Sequence, residues 1–142
     1  MGTNTDQKLE LLKHTPLLAG LSRDDLETVG RLAEEVDVPA GQVLMREGDV
    51  GNEFFVIVTG YVRIDRGGTV VKTLGSGDFF GEIALVDEGT RSATATTDTP
   101  ATLLVLNHRE FHSLMDQFPS IRMCVLQCLA ERVRRLEPEA VN

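Results

Sequence analysis

The chain has 142 residues and a mass of 15.6 kDa, the size of one domain with its own core. Hydrophobic residues make up 42% and charged residues 25%, the balance of a folded chain rather than a disordered one. Fourteen Lys and Arg against 22 Asp and Glu leave a formal charge of −8, which argues against a nucleic-acid partner and against anchoring to anionic lipid.

No apolar run approaches the ~18 residues of a membrane span. The opening Met1-Gly2-Thr3-Asn4-Thr5-Asp6 lacks the basic and apolar regions of a signal peptide, and Asp6 breaks the myristoylation pattern. Cys124 and Cys128 are the only cysteines, too few for a disulfide framework or a zinc site. A cytoplasmic location is the expectation.

The first third reads as helix, expected over 7–36. Leu9, Leu11, Leu12, Leu17 and Leu18 form a dense apolar surface broken by Pro16 and Gly20. Ser22 is an N-cap with Asp24 and Asp25 in the first turn behind it. Leu26, Val29, Leu32 and Ala33 follow on one helical face.

After Pro39 the pattern changes. Turn signals recur at Pro39-Ala40-Gly41, Gly48-Asp49, Gly51-Asn52, Gly60, Gly67-Gly68 and Gly75-Ser76-Gly77. Between them, runs rich in β-branched and aromatic residues predict strands at Val43–Met45, Glu53–Thr59, 61–65, Thr69–Leu74, 92–97 and 102–106, with another ending at Phe80. In 53–59 both alternating sets, Phe54/Val56/Val58 and Phe55/Ile57, are apolar, so that strand is expected to be central.

The last third returns to helix. Asn107 is an expected N-cap for His108–Gln117, and Pro119 opens a second helix ending near Leu136. Ile121, Val125, Leu129, Val133 and Leu136 give that helix an apolar stripe. Helix, then antiparallel β, then helix is an α+β order.

One stretch carries chemistry. Gly81 permits close backbone approach after the strand that ends at Phe80. Residues 82–86 can form one helical turn whose free N–H groups suit an anion. Gly89 ends it, and Arg91 returns with a guanidinium matched to phosphate. Arg91 is the only base in the window, among Asp78, Glu82, Asp87 and Glu88. An anion held there needs directed hydrogen bonds, and Glu82 can accept from a sugar hydroxyl. The alternative is an edge Arg paired with a surface Glu.

Phe80-Gly81-Glu82-Ile83-Ala84-Leu85 followed by Arg91-Ser92-Ala93-Thr94 resembles the phosphate-binding cassette of the cyclic nucleotide-binding domain family. Pro39-Ala40-Gly41-Gln42, Glu47-Gly48-Asp49, Gly60-Tyr61-Val62 and Leu74-Gly75-Ser76-Gly77-Asp78-Phe79-Phe80 extend the resemblance over residues 16–136.

The resemblance implies one domain over 1–142. An eight-stranded β-barrel of jelly-roll topology (37–106, cassette 80–94) would be flanked by N-terminal helices and by C-terminal helices at 107–136. It implies that Arg91 pairs with the cyclic phosphate and that Glu82 accepts the ribose 2′-hydroxyl. Phe80, Gly81, Ile83, Ala84 and Leu85 would form one wall of the site, and Ser92 and Ala93 the other. Thr90 departs from the Pro that many members carry before the Arg, leaving that turn freer. In this family Ala at position 92 goes with cAMP and Thr often with cGMP; Ser92 is compatible with both, and cAMP is the expected ligand. No other cofactor and no metal are expected. A protein effector or a second copy is the expected partner of the C-terminal helix.

Other constellations read more simply. His108-Arg109-Glu110-Phe111-His112 has Arg109 where a zinc-protease motif needs Glu, so a solvated helix face is expected. Cys124 and Cys128 read as small hydrophobes on a packed face. Arg132-Val133-Arg134-Arg135 suits a helix C-terminus. The remaining alternatives are an interaction module of the same fold and a metal-binding enzyme on a similar barrel; all three histidines fall outside the β region, against the enzyme.

Overall fold

A computed structural model describes residues 5–14, 18, 20–81 and 90–136; for Thr5, Val125, Cys128, Arg132, Val133, Arg135 and Leu136 the backbone alone is described. Two helices come first, α1 (Thr5–Lys13) and α2 (Arg23–Leu32). Eight strands follow: β1 (Glu34–Val38), β2 (Val43–Met45), β3 (Glu53–Thr59), β4 (Val62–Arg66), β5 (Thr69–Leu74), β6 (Phe79–Phe80), β7 (Thr94–Thr97) and β8 (Ala101–Asn107). The chain closes with α3 (His108–Gln117) and α4 (Pro119–Leu136).

All strand pairings are antiparallel, and the strands divide into two four-stranded sheets, β1-β8-β3-β6 and β2-β7-β4-β5. That order is a jelly roll, two sheets face to face. Of the expected eight-stranded jelly-roll barrel the structure shows the eight strands and the two-sheet jelly roll; among the described residues no ladder joins one sheet to the other, so the sheets are not closed into a barrel. Within the first sheet β8 lies between β1 and β3, with Leu103 opposite Val36 on one side and Ile57 on the other.

β3 is buried on both faces, as its doubly apolar alternation predicts. Phe54, Val56 and Val58 point to the helices, where they join Leu12, Val29, Leu104, Phe111 and Ile121 in one core. Phe55 and Ile57 point the other way and join Val62, Phe80, Ala95 and Leu103 between the sheets. The molecule thus has three layers (helices, first sheet, second sheet) and two cores that share β3 and β8.

The strand at 34–38 begins inside the stretch expected to be helical, which runs to residue 36. α2 ends at Leu32; Ala33 is already extended (φ −75°, ψ 128°) and its N–H donates to the Val29 carbonyl at 3.1 Å. Three carboxylates among five residues disguise β1. Its strand state comes from pairing with β8, a contact that local propensity does not report. The other end matches its caps. The Asn107 side chain accepts from Glu110 N–H at 2.8 Å, and the Glu110 carboxylate accepts from Asn107 N–H at 3.4 Å, a complete capping box for α3. In the α4 stripe Ile121 is buried and Leu129 packs against the helix-side core; the side chains of Val125, Val133 and Leu136 lie outside the described residues.

Candidate functional site

The site forms where loop 46–52 meets the start of the segment that leads into β7. A β-bridge joins Val50 to Thr90. Arg91 N–H donates to the Asp49 carbonyl at 2.8 Å, and Gly48 N–H donates to the Arg91 carbonyl at 2.9 Å. These backbone bonds fix the root of Arg91. Its side chain then runs to the first residue of β3, where Nη2 donates to the Glu53 carbonyl at 2.8 Å.

Arg91 is half-buried. Burial pulls its pKa below the ordinary arginine value, and the nearby Glu53 carboxylate pulls it the other way. No carboxylate of the described residues lies within ion-pair distance of the guanidinium. Among the described residues this half-buried cation meets one neutral carbonyl, which leaves donors and charge over, the electrostatic condition of an anion site. Beside it opens a cavity of about 300 Å³ lined by β2, loop 49–53 and Arg91.

Gly81 approaches the same guanidinium. It follows β6, has φ +82°, and a Cβ there would stand 2.7 Å from the Glu53 carbonyl oxygen and 3.0 Å from Arg91 Nη1. Both the backbone conformation and the space require glycine. Of the expected site residues, Gly81 and Arg91 thus meet at one point, the Glu53 carbonyl. Glu82, Ile83, Ala84 and Leu85 lie outside the described residues.

The remaining expected residues divide. Phe80 is buried between the sheets, stacked on Phe55 with centroids 4.8 Å apart. Ala93 is buried in the same core. Ser92 is exposed, and its carbonyl accepts from Arg66 Nε at 3.1 Å. Asp78 does not accompany Arg91: its carboxylate accepts from Gly75 N–H at 2.8 Å in the β5–β6 turn. Asp49 and Glu53 escaped the sequence reading because each serves through its backbone carbonyl, which any residue type supplies. Gly51 was visible only as a turn signal.

Comparisons with known proteins show the family and the fold. The family model described as "Cyclic nucleotide-binding domain" matches residues 35–118, from β1 to the end of α3. The chain belongs to the cyclic nucleotide-binding domain family. A cAMP-dependent protein kinase regulatory subunit of Schizosaccharomyces pombe is 34% identical over 74% of this chain and 26% of its own. The crystal structure of the Thermus thermophilus catabolite activator protein superposes with a TM-score of 0.81 at 30% identity, covering 88% of this chain and 61% of that one. The regulatory domain of Toxoplasma gondii PKA, crystallised with cAMP, gives a TM-score of 0.74 at 30% identity, covering 80% and 46%. This chain spans between about a quarter and three fifths of the length of the first curated relatives it matches. Among the described residues no helix is long and apolar enough to cross a membrane.

Proposed function

We propose that this chain is a receptor module for a 3′,5′-cyclic nucleotide, with cAMP as its ligand and Arg91 as the phosphate contact. The observation that carries the reading is the half-buried Arg91 guanidinium beside a cavity, without an ion-pair partner among the described residues. A phosphate oxygen would take the guanidinium donors that the Glu53 carbonyl leaves over. Glu82 would accept the ribose 2′-hydroxyl, and the amides of Gly81, Ile83 and Ala84 would close around ribose and phosphate. Phe80, Leu85 and Ala93 would support that wall by packing, and the Ser92 hydroxyl would sit toward the base. Support for cAMP comes from the kinase regulatory subunit and the cAMP-bound regulatory domain among its relatives.

Capture of the phosphate would shift the population between two positions of the α3–α4 pair, to the extent that the nucleotide binds one state better than the other. The end of α4 would meet an effector or a second copy of the chain. Isothermal titration of the purified chain with cAMP, and with cGMP in parallel, tests the reading. Binding of either in the micromolar range or tighter is the expected result, with cAMP the tighter. Arg91→Ala should abolish binding while the ligand-free melting curve stays cooperative. Unchanged affinity in that variant would overturn the assignment. Glu82→Gln should cost less than Arg91→Ala, since the amide keeps one acceptor.

A further inference from the structure

We infer that Gly51 is a positioning residue for Arg91: the side chain it lacks is the space in which the guanidinium lies. This inference rests on the reading of Arg91 as the phosphate contact. Two loop glycines three residues apart separate the reasons a chain uses glycine. Gly48 has φ +88°, and a Cβ there would meet nothing within 4 Å, so its backbone conformation demands it. Gly51 lies outside the left-handed region, so its backbone would accept a side chain. A Cβ on Gly51 would instead overlap Arg91 Nε and stand 2.6 Å from Cζ and 2.7 Å from Nη2.

The guanidinium therefore lies against Gly51 along Nε, Cζ and Nη2 and against Gly81 at Nη1, in a slot closed by the Glu53 carbonyl. The slot is held in place from both ends of its loop. Val50 bridges Thr90, and the Asn52 carbonyl accepts from His108 N–H at 2.6 Å, which ties the loop to the first residue of α3. A methyl group at position 51 would meet the far end of a flexible side chain rather than backbone. The guanidinium would swing out and the fold would stay. Its planar set of donors would then point elsewhere, and recognition of phosphate by a fork of N–H groups depends on that aim.

Gly51→Ala is the test, read in two ways. In ligand-free protein, the Arg91 Nε–H resonance, assigned by its disappearance in Arg91→Lys, should shift while the thermal midpoint holds. With ligand, affinity for cAMP should fall by about tenfold or more, while binding of adenosine, which lacks the phosphate, should not change. Gly51→Val should deepen the cAMP loss. Equal losses for cAMP and adenosine would overturn the inference, because Gly51 would then shape the cavity as a whole. An unmoved Nε–H resonance would overturn it directly. Were the wild-type chain to bind neither cAMP nor cGMP, the nucleotide reading would fail by itself, and the resonance would still decide whether Gly51 positions Arg91.

Discussion

Arg91 carries a charge into a half-buried place where neighbouring atoms oppose one another. Burial lowers its pKa and Glu53 raises it, burial being the larger effect. A base with a lowered folded-state pKa favours the neutral form only above that pKa. An arginine starts from so high a value that the guanidinium stays cationic through the neutral range. Phosphate binding through Arg91 should accordingly be flat between about pH 6 and pH 9, where carboxylates are already ionised. Titrations at the two ends of that range should agree within about twofold; a steep slope would point to a histidine rather than to Arg91.

Thr97 shows the same logic in a structural role. It is fully buried, its hydroxyl donates to the Pro39 carbonyl at 2.7 Å, and it accepts from Gln42 N–H at 2.9 Å. It thereby fastens the β1–β2 turn to the second sheet. Thr97→Val keeps the shape and strands both partners, which should cost about 1–3 kcal/mol, whereas Thr97→Ser should cost less. Urea unfolding with an unchanged slope would measure both. Arg91 could be picked out from sequence because a lone base in an acidic window is conspicuous. The Glu53 carbonyl could not, because backbone acceptors leave no mark in a sequence.

Among the elements, those with local causes were legible. Ser22 accepts from Asp25 N–H at 3.2 Å at the start of α2, and Asn107 caps α3 reciprocally with Glu110. Both follow from residue type and spacing alone. Asn107 also ends β8 and sits opposite Glu53 in its register, so its cap sets the corner between the first sheet and α3. Asn107→Ala should lower stability by about 0.5–2 kcal/mol, measurable as a lower urea midpoint. β1 was illegible because its cause lies 63 to 71 residues away in β8. The cassette resemblance at 80–94 rests on its glycines and its Arg; the geometry of 82–89 within it lies outside the described residues.

At the scale of the molecule, β3 and β8 are the common wall of two cores. Phe111, fully buried, presses on the helix side of that wall, with its ring 6.5 Å from that of Phe54. Phe111→Ala should cost about 3–5 kcal/mol. The loss should act through the helix–sheet layer and leave the sheet-to-sheet core of Phe55 and Phe80 in place. A calorimetric transition that stays single but falls in temperature would show that the two cores melt together.

The jelly-roll order also fixes when this chain can fold during its own synthesis. Among the described residues β1 pairs only with β8, and β3 pairs with β8 and β6, so the strand between β1 and β3 is the last of the eight to leave the ribosome. Until residue 107 has emerged, both carry an open edge toward the place β8 will fill. Sheets closed by such distant segments form slowly, and open edges invite pairing with other chains. A fragment ending at Pro100 should lack the first sheet and aggregate. For this topology the interval before β8 emerges is the moment of greatest exposure, and the arrival of its seven residues ends it.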